Sequence, residues 1–149
     1  MNKNSLHSDF EARRCIAPLA IGANATKTGK IIDRQGFGGL EFLFSYGAVT
    51  TTGTVVTVVI KEGDVTGTMT SVADADLLGT EALASLLAAT PRASGSTNNV
   101  TKKIGYKGSK RYVQALLVQT GVTSVGCVSA EALLFNPHVS PTANPAASQ

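Results

Sequence analysis

Leu40, Phe42, Phe44 and Tyr46 alternate with Glu41, Leu43 and Ser45. No other feature of the sequence restricts the fold so strongly. Successive side chains of a strand point to opposite faces, so a period of two fixes an extended segment with an aromatic, core-facing side. A Thr-rich turn follows, and Thr54 to Lys61 repeats the pattern. Val56, Val58 and Ile60 fall on one face, Val55, Thr57, Val59 and Lys61 on the other. The two segments together predict an antiparallel hairpin, with Glu62-Gly63-Asp64 closing the second strand.

The remaining segments read in the same way. Residues 1–13 are polar and predict an N-terminal arm, with Leu6 and Phe10 as isolated anchors. Cys15 to Ile21 predicts a strand that Pro18 confines to an edge, because proline cannot donate to a sheet ladder. Gly22 to Gly29 reads as a loop, Lys30 to Asp33 as a short strand, and Thr66 to Val72 as a weaker one. Glu81 to Ala89 carries Leu83, Leu86 and Leu87 at helical spacing, with Thr80 as an N-cap and Pro91 just beyond. That segment is open between a short helix and an irregular loop. Val100 to Tyr106 and Arg111 to Thr120 predict a second hairpin across Lys107-Gly108-Ser109. Tyr112 to Val118 is apolar on both faces and predicts a central strand covered on both sides. Val122 to Phe135 is long enough for one strand or two bent ones. Residues 137–149 carry Pro137, Pro141 and Pro145 in a Ser/Ala/Asn-rich run, which predicts an extended C-terminal arm. The fold expected is therefore all-β: one domain over residues 14–136, a β-sandwich or jelly-roll-like barrel with extended arms and at most one short helix.

Composition removes several function classes. The chain has 149 residues, a one-domain length, and 43% are hydrophobic, which excludes a disordered chain. Charged residues are 15%, against roughly 25% in soluble proteins. So neutral a surface suits a protein that packs against neighbours. The net charge of +3 is too small to demand a nucleic-acid partner. Cys15 and Cys127 are too few and too far apart for a disulfide scaffold and read as free thiols of a reducing compartment. Met1 to Phe10 lacks the apolar stretch of a secretory leader, and no apolar run approaches the ~20 residues of a membrane helix.

Catalytic signals are weak. His7 and His138 fall in the two arms, away from Cys, Asp or Glu at metal-ligand spacing. There is no Gly-x-Ser-x-Gly elbow. Gly36-Phe37-Gly38-Gly39 departs from the dinucleotide fingerprint, and Gly105-Tyr106-Lys107-Gly108-Ser109-Lys110 departs from the P-loop spacing, so both read as turns. Glu62, Asp64, Asp74 and Asp76 lack a calcium-loop pattern. No enzyme, cofactor or metal is expected.

The charges are segregated along the chain. Glu62 to Glu81 contains Glu62, Asp64, Asp74, Asp76 and Glu81 with no Lys or Arg, whereas Ala82 to Ala130 contains no acid and carries Arg92, Lys102, Lys103, Lys107, Lys110 and Arg111. Three readings stay open: the two segments pair within the domain, the basic one faces nucleic acid with Tyr106 and Tyr112 as stacking platforms, or opposite patches meet between copies.

Three stretches carry a resemblance: Asp33-Arg34-Gln35-Gly36-Phe37 leading into Leu40-Glu41-Phe42, Val72-Ala73-Asp74-Ala75-Asp76-Leu77-Leu78-Gly79, and Gly105-Tyr106-Lys107-Gly108-Ser109-Lys110-Arg111-Tyr112-Val113. Together they resemble motifs of small proteins encoded in phage and prophage head-gene clusters. The arms and the final strand lie outside the match. The resemblance implies a capsid-associated, non-enzymatic structural protein of the virion, made in the host cytoplasm. Within that group it is most similar to decoration, or cement, proteins, which bridge capsid subunits and stabilise the shell. The implied partners are the major capsid protein and further copies of the chain, as a dimer or trimer, with no membrane and no direct nucleic-acid contact. The alternatives are a head–tail connector or tail component, and then a nucleic-acid or sugar-binding module. The interface residues expected are Leu6, Phe10, Lys102, Lys103, Lys107, Lys110, Arg111, Phe135 and Pro137.

Overall fold

The computed structural model describes residues 5–93, 95–123 and 126–139. A short helix, α1 (Ser5–Asp9), leads into nine strands: β1 (Phe10–Ile21), β2 (Ala25–Asp33), β3 (Phe37–Tyr46), β4 (Val55–Gly63), β5 (Thr70–Ser71), β6 (Leu77–Leu78), β7 (Val100–Tyr106), β8 (Tyr112–Thr120) and β9 (Gly126–Pro137). A single helical turn, α2 (Glu81–Ala84), lies between β6 and β7. The strands form two antiparallel sheets, ordered β1-β9-β3-β7-β6 and β2-β8-β4-β5. The pairs β1–β9, β2–β8, β3–β7 and β4–β5 nest inside one another along the chain. A long hairpin rolled up in this way is a jelly roll, and the all-β sandwich expected from the sequence is the one observed.

Alternation decides which side of each strand is buried. Leu40, Phe42, Phe44 and Tyr46 from β3 join Val56, Val58 and Ile60 from β4 in one buried cluster with Ile104, Tyr106, Val113, Ala115, Leu117, Ala130, Ala132 and Leu134. Each fully buried large side chain of this set contributes about 1.5–3 kcal/mol of transfer free energy. The Tyr46 hydroxyl donates to the Ala84 carbonyl at 2.8 Å, which ties α2 to the core.

Both predicted hairpins are wrong. β3 and β4 belong to different sheets, and so do β7 and β8. Their connections cross from one sheet to the other. A period-2 pattern is equally satisfied by two strands side by side or by two strands facing across a core, and here both apolar faces turn toward one interior.

Other boundaries shift for local reasons. The N-terminal arm is shorter than residues 1–13, because Phe10 to Arg13 pair with β9. β2 begins inside the predicted 22–29 loop. Thr26, Lys27 and Thr28 are all exposed on this edge strand, so they carry no apolar signal. Pro18 does lie on an edge strand, and register shifts interrupt the ladder at Arg14/Ile16 and Ile16/Leu19. The expected 66–72 strand reduces to Thr70–Ser71. The 81–89 segment forms one helical turn, capped by the Thr80 side chain accepting from the Leu83 N–H. Leu86 then leaves the turn to bridge Val56. β8 is central in its sheet, but Gln114, Leu116 and Val118 on its outer side are only half-buried. The last strand is single and runs through Pro137, so the first residue of the predicted C-terminal arm is part of the sheet. Residues 140–149 of that arm lie outside the described residues.

Candidate interaction surface

The outer face of the five-stranded sheet holds the apolar groups that the core does not use. Register places Phe10 opposite Phe135, and Phe135 opposite Gly39. The next row runs Ala12, Leu133, Glu41, Gly105 and Leu78 across five strands. The row after it runs Arg14, Glu131, Leu43 and Lys103. Phe135 is 40% exposed and Leu78 51%, while Phe10, Leu43 and Leu133 are half-buried. The result is an apolar strip of Phe10, Ala12, Phe135, Leu133 and Leu43, bordered by Glu41, Glu131 and Lys103, with Leu78 standing apart beyond Glu41 and Gly105.

Two glycines shape this strip. A Cβ at Gly39 would lie 2.3 Å from the Phe135 ring, so the missing side chain is the seat of that ring. A Cβ at Gly105 would lie 2.6 Å from Glu41 Oε2, so the carboxylate rests over that backbone. Burial pushes the Glu41 carboxyl up from its usual value, against a smaller opposing pull from Lys103. The Lys103 ammonium is 4.0 Å from Glu41 and largely solvated, so the pair contributes little.

The predicted basic residues do not form one patch. Alternation sends Lys102 and Lys103 to opposite faces of β7. Lys102 Nζ donates to the Ser85 carbonyl at 2.6 Å, and burial lowers its pKa. It is a tether for the strap that follows α2, not a docking charge. Lys110 pairs with Asp64 at 2.6 Å, and Arg111 pairs with Asp33 through two hydrogen bonds of 3.0 and 2.7 Å. Both are intramolecular, and the first of them pairs the acidic with the basic segment. Lys107 is exposed, and its backbone N–H donates to the Asp76 carbonyl at 2.9 Å. Pro137 ends β9 opposite Phe37. Leu6 sits in α1, and its side chain lies outside the described residues.

The three stretches behind the resemblance converge at one end of the sandwich. The Arg34 backbone N–H donates to the Arg111 carbonyl at 3.0 Å. Its guanidinium donates to the Gly108 and Lys110 carbonyls and lies 5.1 Å from the Tyr106 ring centre. The Tyr106 hydroxyl donates to Glu62 and accepts from the Lys110 N–H at 3.0 Å. Burial first, then this hydrogen bond, pushes the Tyr106 phenol up to about 12. At the opposite end Arg92 donates to the carbonyls of Thr51, Thr54, Leu87 and Thr97. Every one of these contacts closes an end of the barrel.

Among the described residues there is no group of three or more His, Cys, Asp or Glu placed to hold a metal, and no helix long and apolar enough to cross a membrane. Cys15 and Cys127 are both free, the first buried and the second exposed. The Gly39 seat, the strip members Leu43 and Leu133, and the separate exposed Leu78 were missed from the sequence. Their signal was present in Leu133-Leu134-Phe135, where both faces of one strand are apolar. No protein-family model and no curated protein matches this sequence.

Proposed function

We propose that the chain is a non-enzymatic structural protein of a phage particle that coats the outside of the capsid and cements neighbouring capsid subunits. The observation that carries this reading is the strip of Phe10, Phe135, Leu133 and Leu43 on a rigid sheet. Exposed contiguous apolar groups of this kind mark protein interaction sites. The resemblance of three stretches to motifs of phage head-gene proteins supports the virion context, and the jelly roll is an architecture used by capsid proteins, which is support by analogy of fold alone. In this reading the sandwich is an inert rigid body, and binding to the assembled shell stabilises that state by mass action.

The strip docks on the shell, with Phe135 as its exposed aromatic anchor. A few anchor residues carry most of the free energy of such contacts. Co-sedimentation of the purified chain with shells stripped of it tests the proposal. Phe135→Ser and Leu133→Ser abolish co-pelleting while leaving the circular dichroism spectrum and melting curve close to wild type. Undiminished pelleting of both folded variants contradicts the strip as the docking face. A wild-type chain that never pellets with shells contradicts the function.

A further inference from the structure

The two long sides of the sandwich differ. On one side β5 and β6 are the edge strands, and residues 64–90 run along them as a strap. On the other side β1 and β2 are both edges, and among the described residues nothing pairs with their outer sides. A groove opens between them, lined by Arg14 to Leu19 from β1 and by Thr26, Lys27, Thr28 and Lys30 from β2. Exposed strand edges are templates for pairing, and proteins guard them with bulges, proline and lysine. Pro18, the interrupted β1 register and a further shift between Thr28 and Ile31 are such guards.

The two sides also carry opposite charge. From Ala12 to Ile32 the chain has Arg13, Arg14, Lys27 and Lys30 and no acid. Arg13 is committed to Glu11 and to the Asp33 carbonyl. Lys27 and Lys30 line the groove, both exposed. On the strap side Asp74 is exposed and Asp76 half-buried, in a 3-10 turn beside the exposed Leu78. Neither aspartate has an ion pair among the described residues, whereas Asp64 on the same side is held by Lys110. Exposed Lys107 sits close by and offsets part of the charge of Asp74 and Asp76 without reversing it.

We propose that copies of this chain associate side by side, head to tail, with the Lys27/Lys30 groove of one copy receiving the Asp74–Leu78 turn of the next. Contacts between two different faces are heterologous and close into a ring or run on as a row. The inference builds on the coat reading, in which copies lie next to one another, but it is tested without a shell, so the two fail separately. The Phe10–Phe135 strip stays free for docking, since it lies on a sheet face and not on either side.

The test is a charge swap with the full chain. Sedimentation velocity at low salt, over a concentration series reaching about 1 mM, the weak end of specific affinity, reads the association. Wild type shows concentration-dependent growth in mass that high salt suppresses. Lys27→Glu/Lys30→Glu and Asp74→Lys/Asp76→Lys each weaken it at least about tenfold, because like charges then face each other. An equimolar mixture of the two variants associates again, each groove now facing a turn of opposite sign. Melting curves confirm that both variants are folded. A wild type that stays monomeric throughout, variants that associate like wild type through another face, or a mixture with no recovery each overturn the proposal.

Discussion

Tyr106→Phe removes one oxygen atom and tests whether the Gly105–Tyr112 stretch is architectural. The ring is 1% exposed. Its hydroxyl satisfies the Lys110 N–H and donates to the Glu62 carboxylate. A neutral hydrogen bond contributes about 1 kcal/mol and one to a charged group about 1.5–3 kcal/mol, so the loss sums to about 2–3 kcal/mol once partial resolvation of Glu62 is allowed for. For a chain of this size that lowers the melting temperature by about 4–12 °C. Gly108→Ala attacks the same oxygen from the other side, since the new Cβ would lie 2.4 Å from it. That crowding costs about 1–3 kcal/mol. The two changes share one atom, so the double variant costs less than their sum. Chemical denaturation followed by circular dichroism measures all three. A Tyr106→Phe cost below about 0.5 kcal/mol, or additivity within about 0.5 kcal/mol, refutes the account of this end of the barrel.

Four further outcomes are expected. Gly39→Ala forces the Phe135 ring from its seat, lowering stability by about 1–3 kcal/mol and weakening docking in the pelleting assay, whereas Gly67→Ala, where an added Cβ meets nothing within 4 Å, does neither. Gln119 is buried with its Nε2 unpartnered among the described residues, so Gln119→Leu raises stability by about 1 kcal/mol, measured by denaturant midpoint. Asp33 and Glu41 bend the pH profile in opposite senses: the Arg111 hydrogen bond holds the Asp33 carboxyl below its usual value, so its contribution is present above the ordinary carboxylate range and lost as pH falls through the lowered value. Asp33→Asn therefore flattens the acid limb of the stability curve. Glu41 is raised by burial, so its contribution is present in acid and lost as pH climbs through the raised value, and Glu41→Gln is more stable than wild type at neutral pH. Finally, maleimide labels one thiol per native chain: Cys127 is exposed, while burial pushes the Cys15 thiol up to about 11. Two rapid labels, mapped by peptide mass spectrometry, contradict the packing of β1 on β2.

What the sequence revealed and what it hid follow from one physical fact. Periodicity reports which face of a strand is buried, not what lies beside it. Leu40 to Tyr46 and Thr54 to Lys61 were legible as strands with a known inner face, but their assignment to different sheets depends on partners far along the chain, Val100 to Tyr106 and Tyr112 to Thr120. Edge strands were harder still. Thr26 to Thr28 are exposed, so nothing apolar marks them as sheet. The charge segregation was visible, yet Lys102 and Lys103 show how little sequence proximity says about position, since one residue tethers Ser85 inside the barrel and its neighbour faces solvent. The apolar strip was half legible. Phe10 and Phe135 stood out as lone aromatics, and their direct pairing across β1 and β9 required the register.

The measurement that tests the account most directly is the copy number of this chain in purified phage particles, relative to the major capsid protein, by quantitative mass spectrometry. A coat that cements the shell predicts a simple stoichiometric ratio, near one copy per capsid subunit or a small fixed fraction of that. A few copies per particle contradicts it in favour of a connector or tail part, and absence from particles removes the chain from the virion altogether.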